Sequence, residues 1–235
     1  MKEILAIVLS FFSLFIKEPQ TNIKGVILPH HELAQELFHT SFERLQKVVD
    51  PSTIVIYGTN HYYPEGMTFT TTTDIAEKYQ ITNTLADDER IGKEHSIQTL
   101  VPYLTKYFSK SKIIPIIISS TYDLEDLKTK TAYLTNKLPQ DTLYISSVDF
   151  SHNKTTSEGL LKNEESIKAI STFDYKTLLD FKDDHIDSPV AITTLLLTME
   201  KLNAKTWETW YTSHGGLLLN KPDLQGTSYV IGVFK

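Results

Sequence analysis

The chain carries eight histidines and no cysteine. Most of the histidines fall at one kind of place. His30 and His31 follow the apolar run "GVIL", His61 follows "TIVIYGTN", His152 follows "TLYISSVDF", and His214 follows "WETWYT". His95 opens an amphipathic stretch beside Glu94, and Asp149 stands three residues ahead of His152. His39 and His185 have no strand end beside them, and His39 reads as a surface residue of a helix. Imidazole is the commonest protein metal ligand, and it titrates close enough to neutral pH to move a proton. Two histidines and one carboxylate around open positions is the donor pattern of non-haem Fe(II) oxygenases. A single histidine past a strand is more often a solvated loop residue. Four separate strand ends carrying one suggest a shared polar pocket.

The elements that would position these side chains follow from the apolar pattern. "GVIL" (25–28), "TIVIYG" (53–58), "KIIPIII" (112–118) and "TLYISSVDF" (142–150) are short β-branched runs, continuous enough for strands buried on both faces. Pro115 points to an edge or a bulge for the third of them. Helical periodicity covers 32–49, 94–108, 123–138, 158–170, 174–181 and 188–202. Pro102 predicts a kink in the second of these helices. Ser188 and Pro189 form a helix start in the last. Thr68 to Asp88 reads as short strands or a hairpin with loops, and "WETWYT" and "TSYVIGVF" as closing strands. Strands alternating with helices give an α/β sheet covered on both faces, mostly parallel or mixed. In such sheets ligands bind outside the carboxyl ends of the strands, where the histidines are.

Composition narrows the function classes. Of 235 residues, 40% are hydrophobic and 22% charged, with a net charge of −6 and no basic stripe, so no nucleic-acid partner is expected. The missing cysteine removes disulfides, thiolate-bound zinc and a thiol nucleophile. Phosphate-binding glycine loops, the G-x-S-x-G elbow and H-E-x-x-H are all missing. From Ile4 to Ile16 only apolar residues and serine occur. That is short for a membrane span of about 20 residues and suits a signal peptide or short anchor. Residues 1–20 are therefore expected to direct export or to tether the chain at a membrane through 4–16, with 21–235 as one domain.

Five stretches occur in the order "ILPHH", "GTNHYYPEG", "EHSIQTLVPYL", "SSVDFSH" and "YTSHGG…TSYVIGVF". Together they resemble the conserved blocks of the Memo family from about Gly25 to the C-terminus. The resemblance implies a three-layer α/β/α domain like that of the class III extradiol dioxygenases. In those enzymes two histidines and a third ligand hold a non-haem iron. His30 and His61 match the two metal histidines. The third position is a cysteine in animal Memo and a glutamate in the dioxygenases, and His214 is the nearest ligand type in the matching region here. His152 matches the acid/base histidine, with His95 and Asp149 as further catalytic positions and Asn60, Glu94 and Ser151 as pocket residues. The resemblance implies a divalent metal, with iron first and copper or zinc as alternatives. Its partners would be a small-molecule or peptide ligand, a radical-SAM protein and an AMMECR-type protein. The activity implied is that of a metal-dependent oxidoreductase. The competing reading is a non-catalytic binding module of the same fold for a small anion, peptide or protein partner.

Overall fold

A computed structural model of the chain describes residues 22–62, 66 and 68–235. The elements run β1 (Gly25–Leu28), a 3-10 turn (Glu32–Ala34), α1 (Gln35–Val48), β2 (Thr53–Thr59), β3 (Phe69–Thr71), α2 (Thr73–Tyr79), β4 (Thr84–Ala86), α3 (Asp88–Lys93), α4 (His95–Gln98), α5 (Val101–Tyr107) and β5 (Lys112–Ile118). They continue with α6 (Leu124–Lys137), β6 (Leu143–Ser147), α7 (Thr156–Ser171), α8 (Tyr175–Asp180), α9 (Pro189–Lys201), β7 (Trp207–His214), α10 (Gly215–Leu218) and β8 (Ser228–Phe234). One eight-stranded mixed sheet has the order β4-β3-β5-β2-β6-β1-β8-β7. Its centre, β5-β2-β6-β1, is parallel. β3 and β8 run antiparallel to β5 and β1.

The sheet's two faces bury separate cores, because successive side chains of a strand point to opposite faces. Ile54 and Ile56 of β2 pack with Phe38, Phe42 and Leu45 of α1 and Leu104 of α5. Val55 and Tyr57 of the same strand pack with Leu127 and Leu134 of α6 and Ile192, Leu195 and Leu196 of α9. The result is a three-layer α/β/α domain. Each fully buried aliphatic side chain of these layers contributes roughly 1.5–3 kcal/mol of transfer free energy.

Local chemistry sets the helix starts. Asp123 caps α6, and Thr155 with Glu158 forms a reciprocal capping box at α7. The Ser188 hydroxyl accepts from the Ala191 N–H, with Pro189 at the first helical position of α9.

Three expectations are corrected. β5 lies inside the sheet between β3 and β2 rather than at an edge. Pro115 is tolerated there because pairing with the three-residue β3 ends at Ile116, one residue short of it. The Thr71 hydroxyl donates to the Pro115 carbonyl at 2.5 Å. Pro102 does not kink a single helix from 94 to 108. It sits in the first turn of α5, a separate helix from α4, where its missing N–H leaves no bond unmade. Export or tethering through residues 4–16 receives no support. Among the described residues no helix is long and apolar enough to cross a membrane, and that segment lies outside them.

Candidate metal centre

Three imidazoles meet at the carboxyl end of the parallel strands. His30 follows β1 by two residues, His61 follows β2 by two, and His95 begins α4. One ligand nitrogen from each lies within 4.8 Å of the others. The His30 ring is 5.1 Å from both the His61 and the His95 ring, and His61 and His95 stack at 3.9 Å. α4 can approach the end of β2 because residue 58 is glycine. A Cβ there would lie 2.6 Å from Ser96 Oγ and 2.9 Å from Ile97 Cδ1. The Ser96 hydroxyl instead donates to the Thr59 carbonyl at 2.8 Å.

Carboxylates fix the histidines from behind. Glu94 is fully buried and takes the His61 backbone N–H at 2.9 Å on one oxygen. Its other oxygen lies 2.7 Å from His61 Nδ1 and 3.5 Å from His95 Nδ1, and it also accepts the Ser96 N–H. Asp149 accepts the His30 backbone N–H at 3.0 Å. On the other side, Ser147 Oγ stands 3.4 Å from His30 Nδ1. The outer nitrogens of His30 and His61 are thus held, and their Nε2 atoms face inward. Both face the same oxygen of Asp187, at 3.2 Å from His30 and 3.6 Å from His61.

Asp187 was not anticipated from the sequence. It lies between two predicted helices, in "DDHIDSP", where acidic residues read as turn formers and caps. The available signal was an aspartate directly ahead of the Ser188-Pro189 helix start.

The charges are mutually dependent. Burial opposes a charge on His30, yet Asp149 and Asp187 raise its pKa above the usual value. Burial opposes the charge on His61 too, but contacts with Asp187 and Glu94 raise its pKa to about 9. Burial would raise the Asp187 pKa, and the facing His30 and His61 instead hold it well below the carboxylate range. Glu94 is lowered against its own burial by His61. His95 goes the other way, lowered by burial and by His61 and His30.

This arrangement suits a divalent cation. Nε2 donors converge on a carboxylate while Nδ1 of His61 is held by another carboxylate, the outer-partner pattern of metal-bound histidine.

The other expected site residues divide. His95, expected as catalytic, is grouped with His30 and His61. Asn60 is buried one residue ahead of His61. Asp149 anchors the His30 backbone. The His152 N–H donates to the Asp183 carbonyl at 2.9 Å, and its Nδ1 is buried without a hydrogen-bond partner among the described residues.

His214, expected as the third ligand, is placed elsewhere. It ends β7, two strands beyond β1, which is about 10 Å at the usual strand spacing. Its Nδ1 accepts the Gly216 N–H at 2.9 Å and lies 3.0 Å from Thr156 Oγ1, while Nε2 is 3.1 Å from the Lys154 carbonyl. Ser151 belongs to that second region. Its hydroxyl is 2.8 Å from Ser228 Oγ, which donates to Asn163.

Comparisons with known proteins agree on the family. Residues 69–216 match the family described as Memo-like protein. A MEMO1 family protein of Sulfurisphaera tokodaii is 25% identical over 199 residues, 75% of this chain and 70% of that protein. One from Thermotoga maritima is 26% identical over 177 residues, 67% of this chain and 64% of the relative. Among solved structures, an uncharacterized protein, JW3007, of Escherichia coli K12 matches with a TM-score of 0.57 at 13% identity, covering 89% of this chain and 99% of its own. That likeness speaks for the fold alone.

Proposed function

The chain belongs to the Memo-like protein family, and from that premise we propose that its histidine cluster is a divalent-metal centre of a non-haem oxidoreductase. One observation carries the reading: Nε2 of His30 and of His61 converge on a single oxygen of buried Asp187. His30, His61 and Asp187 would hold the metal as two histidines and one carboxylate, with His95 at the rim as a further nitrogen donor. Iron is the metal favoured by that donor set, since the same set with open positions serves non-haem Fe(II) oxygenases. The metal would supply Lewis acidity and open coordination positions for a substrate and a co-substrate.

The protein's own groups do the rest. Glu94 fixes the His61 ring through Nδ1 and so directs Nε2 inward. Asp149 ties the His30 backbone to the end of β6. The lowered pKa of His95 leaves a neutral imidazole at neutral pH, ready to donate a lone pair without first losing a proton. The acid/base role that the resemblance implies for His152 would use Nδ1, which has no hydrogen-bond partner among the described residues.

Elemental analysis of protein expressed in metal-supplemented medium tests this. The expected result is close to one equivalent of iron, copper or zinc in the parent, and strong depletion in His30→Ala and His61→Ala. A parent that binds none of these metals would leave the binding-module reading in its place.

A further inference from the structure

Among the described residues the Asp187 side-chain oxygens face His30 and His61 and make no well-formed hydrogen bond to any other group. Where the carboxylate meets the two histidines is therefore set by the backbone that carries it. That backbone is the strap Phe181–Ser188, between α8 and α9. The strap runs antiparallel beside the segment after β6. The Asp187 N–H donates to the Asp149 carbonyl at 3.1 Å, Ile186 bridges to Phe150, and the Asp183 carbonyl accepts the His152 N–H. One strap thus holds the segment after β6 that carries two residues of the site, Asp149 and His152.

On its other side the strap is tied to α7 through one side chain. His185 Nε2 lies 2.7 Å from Glu165 Oε2 and 3.2 Å from Lys162 Nζ, and both partners are on α7. Its Nδ1 lies 2.9 Å from Asp184 Oδ1. The ring stacks on Phe181 at 4.1 Å and 5°, so the imidazole is fixed by contacts at both nitrogens and one face.

We infer that His185, with Glu165, is a positioning pair that sets Asp187 against His30 and His61. It touches none of the three and acts through the strap. The inference rests on the proposed donor set and names a residue outside it, whose side chain is held by α7 rather than by the metal-facing groups. Partners behind a metal ligand typically change metal affinity by 10–100-fold, and this pair stands one step further back, so an effect of about tenfold is expected.

The test is a calorimetric and spectroscopic titration of metal-stripped full-length protein with Co2+, in the parent, Glu165→Gln, His185→Phe and the control Lys176→Ala. His185→Phe keeps a ring on Phe181 and removes both polar contacts. Lys176 pairs with Asp180 at the surface, on α8 and away from the strap's contacts with α7. The expected result is cobalt affinity about tenfold weaker in both test variants, a changed visible cobalt spectrum, and an apo melting temperature close to the parent's, because the Glu165 contact is half exposed. The control should match the parent in all three. Test variants with parental affinity and spectrum overturn the inference, and so do variants that melt earlier yet bind cobalt as the parent does. Failure of the parent itself to bind cobalt is a separate result, which removes the donor set and this inference with it.

Discussion

His61 and His214 both stand at the carboxyl end of strands that point the same way, yet their surroundings oppose each other. His61 has one nitrogen on a carboxylate and the other facing a second carboxylate that it shares with His30. Both nitrogens of His214 are taken by fixed neutral groups: the Gly216 N–H, the Thr156 hydroxyl and the Lys154 carbonyl. The first arrangement points an inward nitrogen, free to bind metal once its proton leaves, among negative charges. The second is a closed hydrogen-bond set that caps α10 and is fully buried. Glycines complete the closure: a Cβ on Gly159 would lie 2.8 Å from His214 Cδ2, and one on Gly216 2.6 Å from Thr156 Oγ1. Residue type and strand end are therefore not enough to make a ligand. The partner of the second nitrogen decides.

The largest effect should come from removing an inward donor. His30→Ala or His61→Ala should weaken metal binding by at least about 100-fold, more than loss of an outer partner does, while the protein stays folded. Calorimetric titration with Fe2+ under anaerobic conditions reads it. Next comes Glu94→Gln, which keeps the shape and removes the charge behind His61. A loss of about 10–100-fold is expected, and parental affinity in this variant would show that the His61 ring is oriented by something else.

Acidity should act in one direction. The Nε2 proton of His61 must leave before that nitrogen can exchange its contact with Asp187 for a metal, while Nδ1 stays on Glu94, and the His61 pKa is about 9 in the metal-free protein. Metal affinity should therefore rise by about tenfold per pH unit from roughly pH 6.5 towards 9, then level off. Stability of the metal-free protein should move oppositely. The His61 contribution is fully present below the unfolded pKa of about 6.5 and is lost as pH rises through about 9. Denaturant melts across that window check the sign. The smallest effect on the metal should come from the closed region. Gly159→Ala forces its Cβ into His214 and should destabilise by about 1–3 kcal/mol, leaving metal affinity unchanged.

Much of this frame is legible in the chain. The β-branched runs gave β1, β2, β5 and β6, and the 3.6-residue stripes gave α1, α6, α7 and α9, since each is long or strongly patterned. The end of the sheet where His30 and His61 lie follows from parallel strand order alone. Lateral position does not: nothing in "YTSHGG" says that β8 lies between His214's strand and that of His30, because that distance is fixed by long-range pairing of β8 with β1 and β7. Asp187 was hidden for the same reason. Its meaning comes from the bridge of Ile186 to Phe150, and no local pattern announces that contact. The run from Ile4 to Ile16 shows the opposite hazard, a strong local pattern read as an address that the described structure does not support.

The contrast between the two histidine regions is tested most directly by one paired experiment: Fe2+ titration and thermal melting of Asp187→Asn beside His214→Gln. Asp187→Asn should lose most of its metal affinity. His214→Gln should bind metal like the parent but melt earlier, having lost buried hydrogen bonds. Metal binding lost in His214→Gln and retained in Asp187→Asn would contradict that contrast.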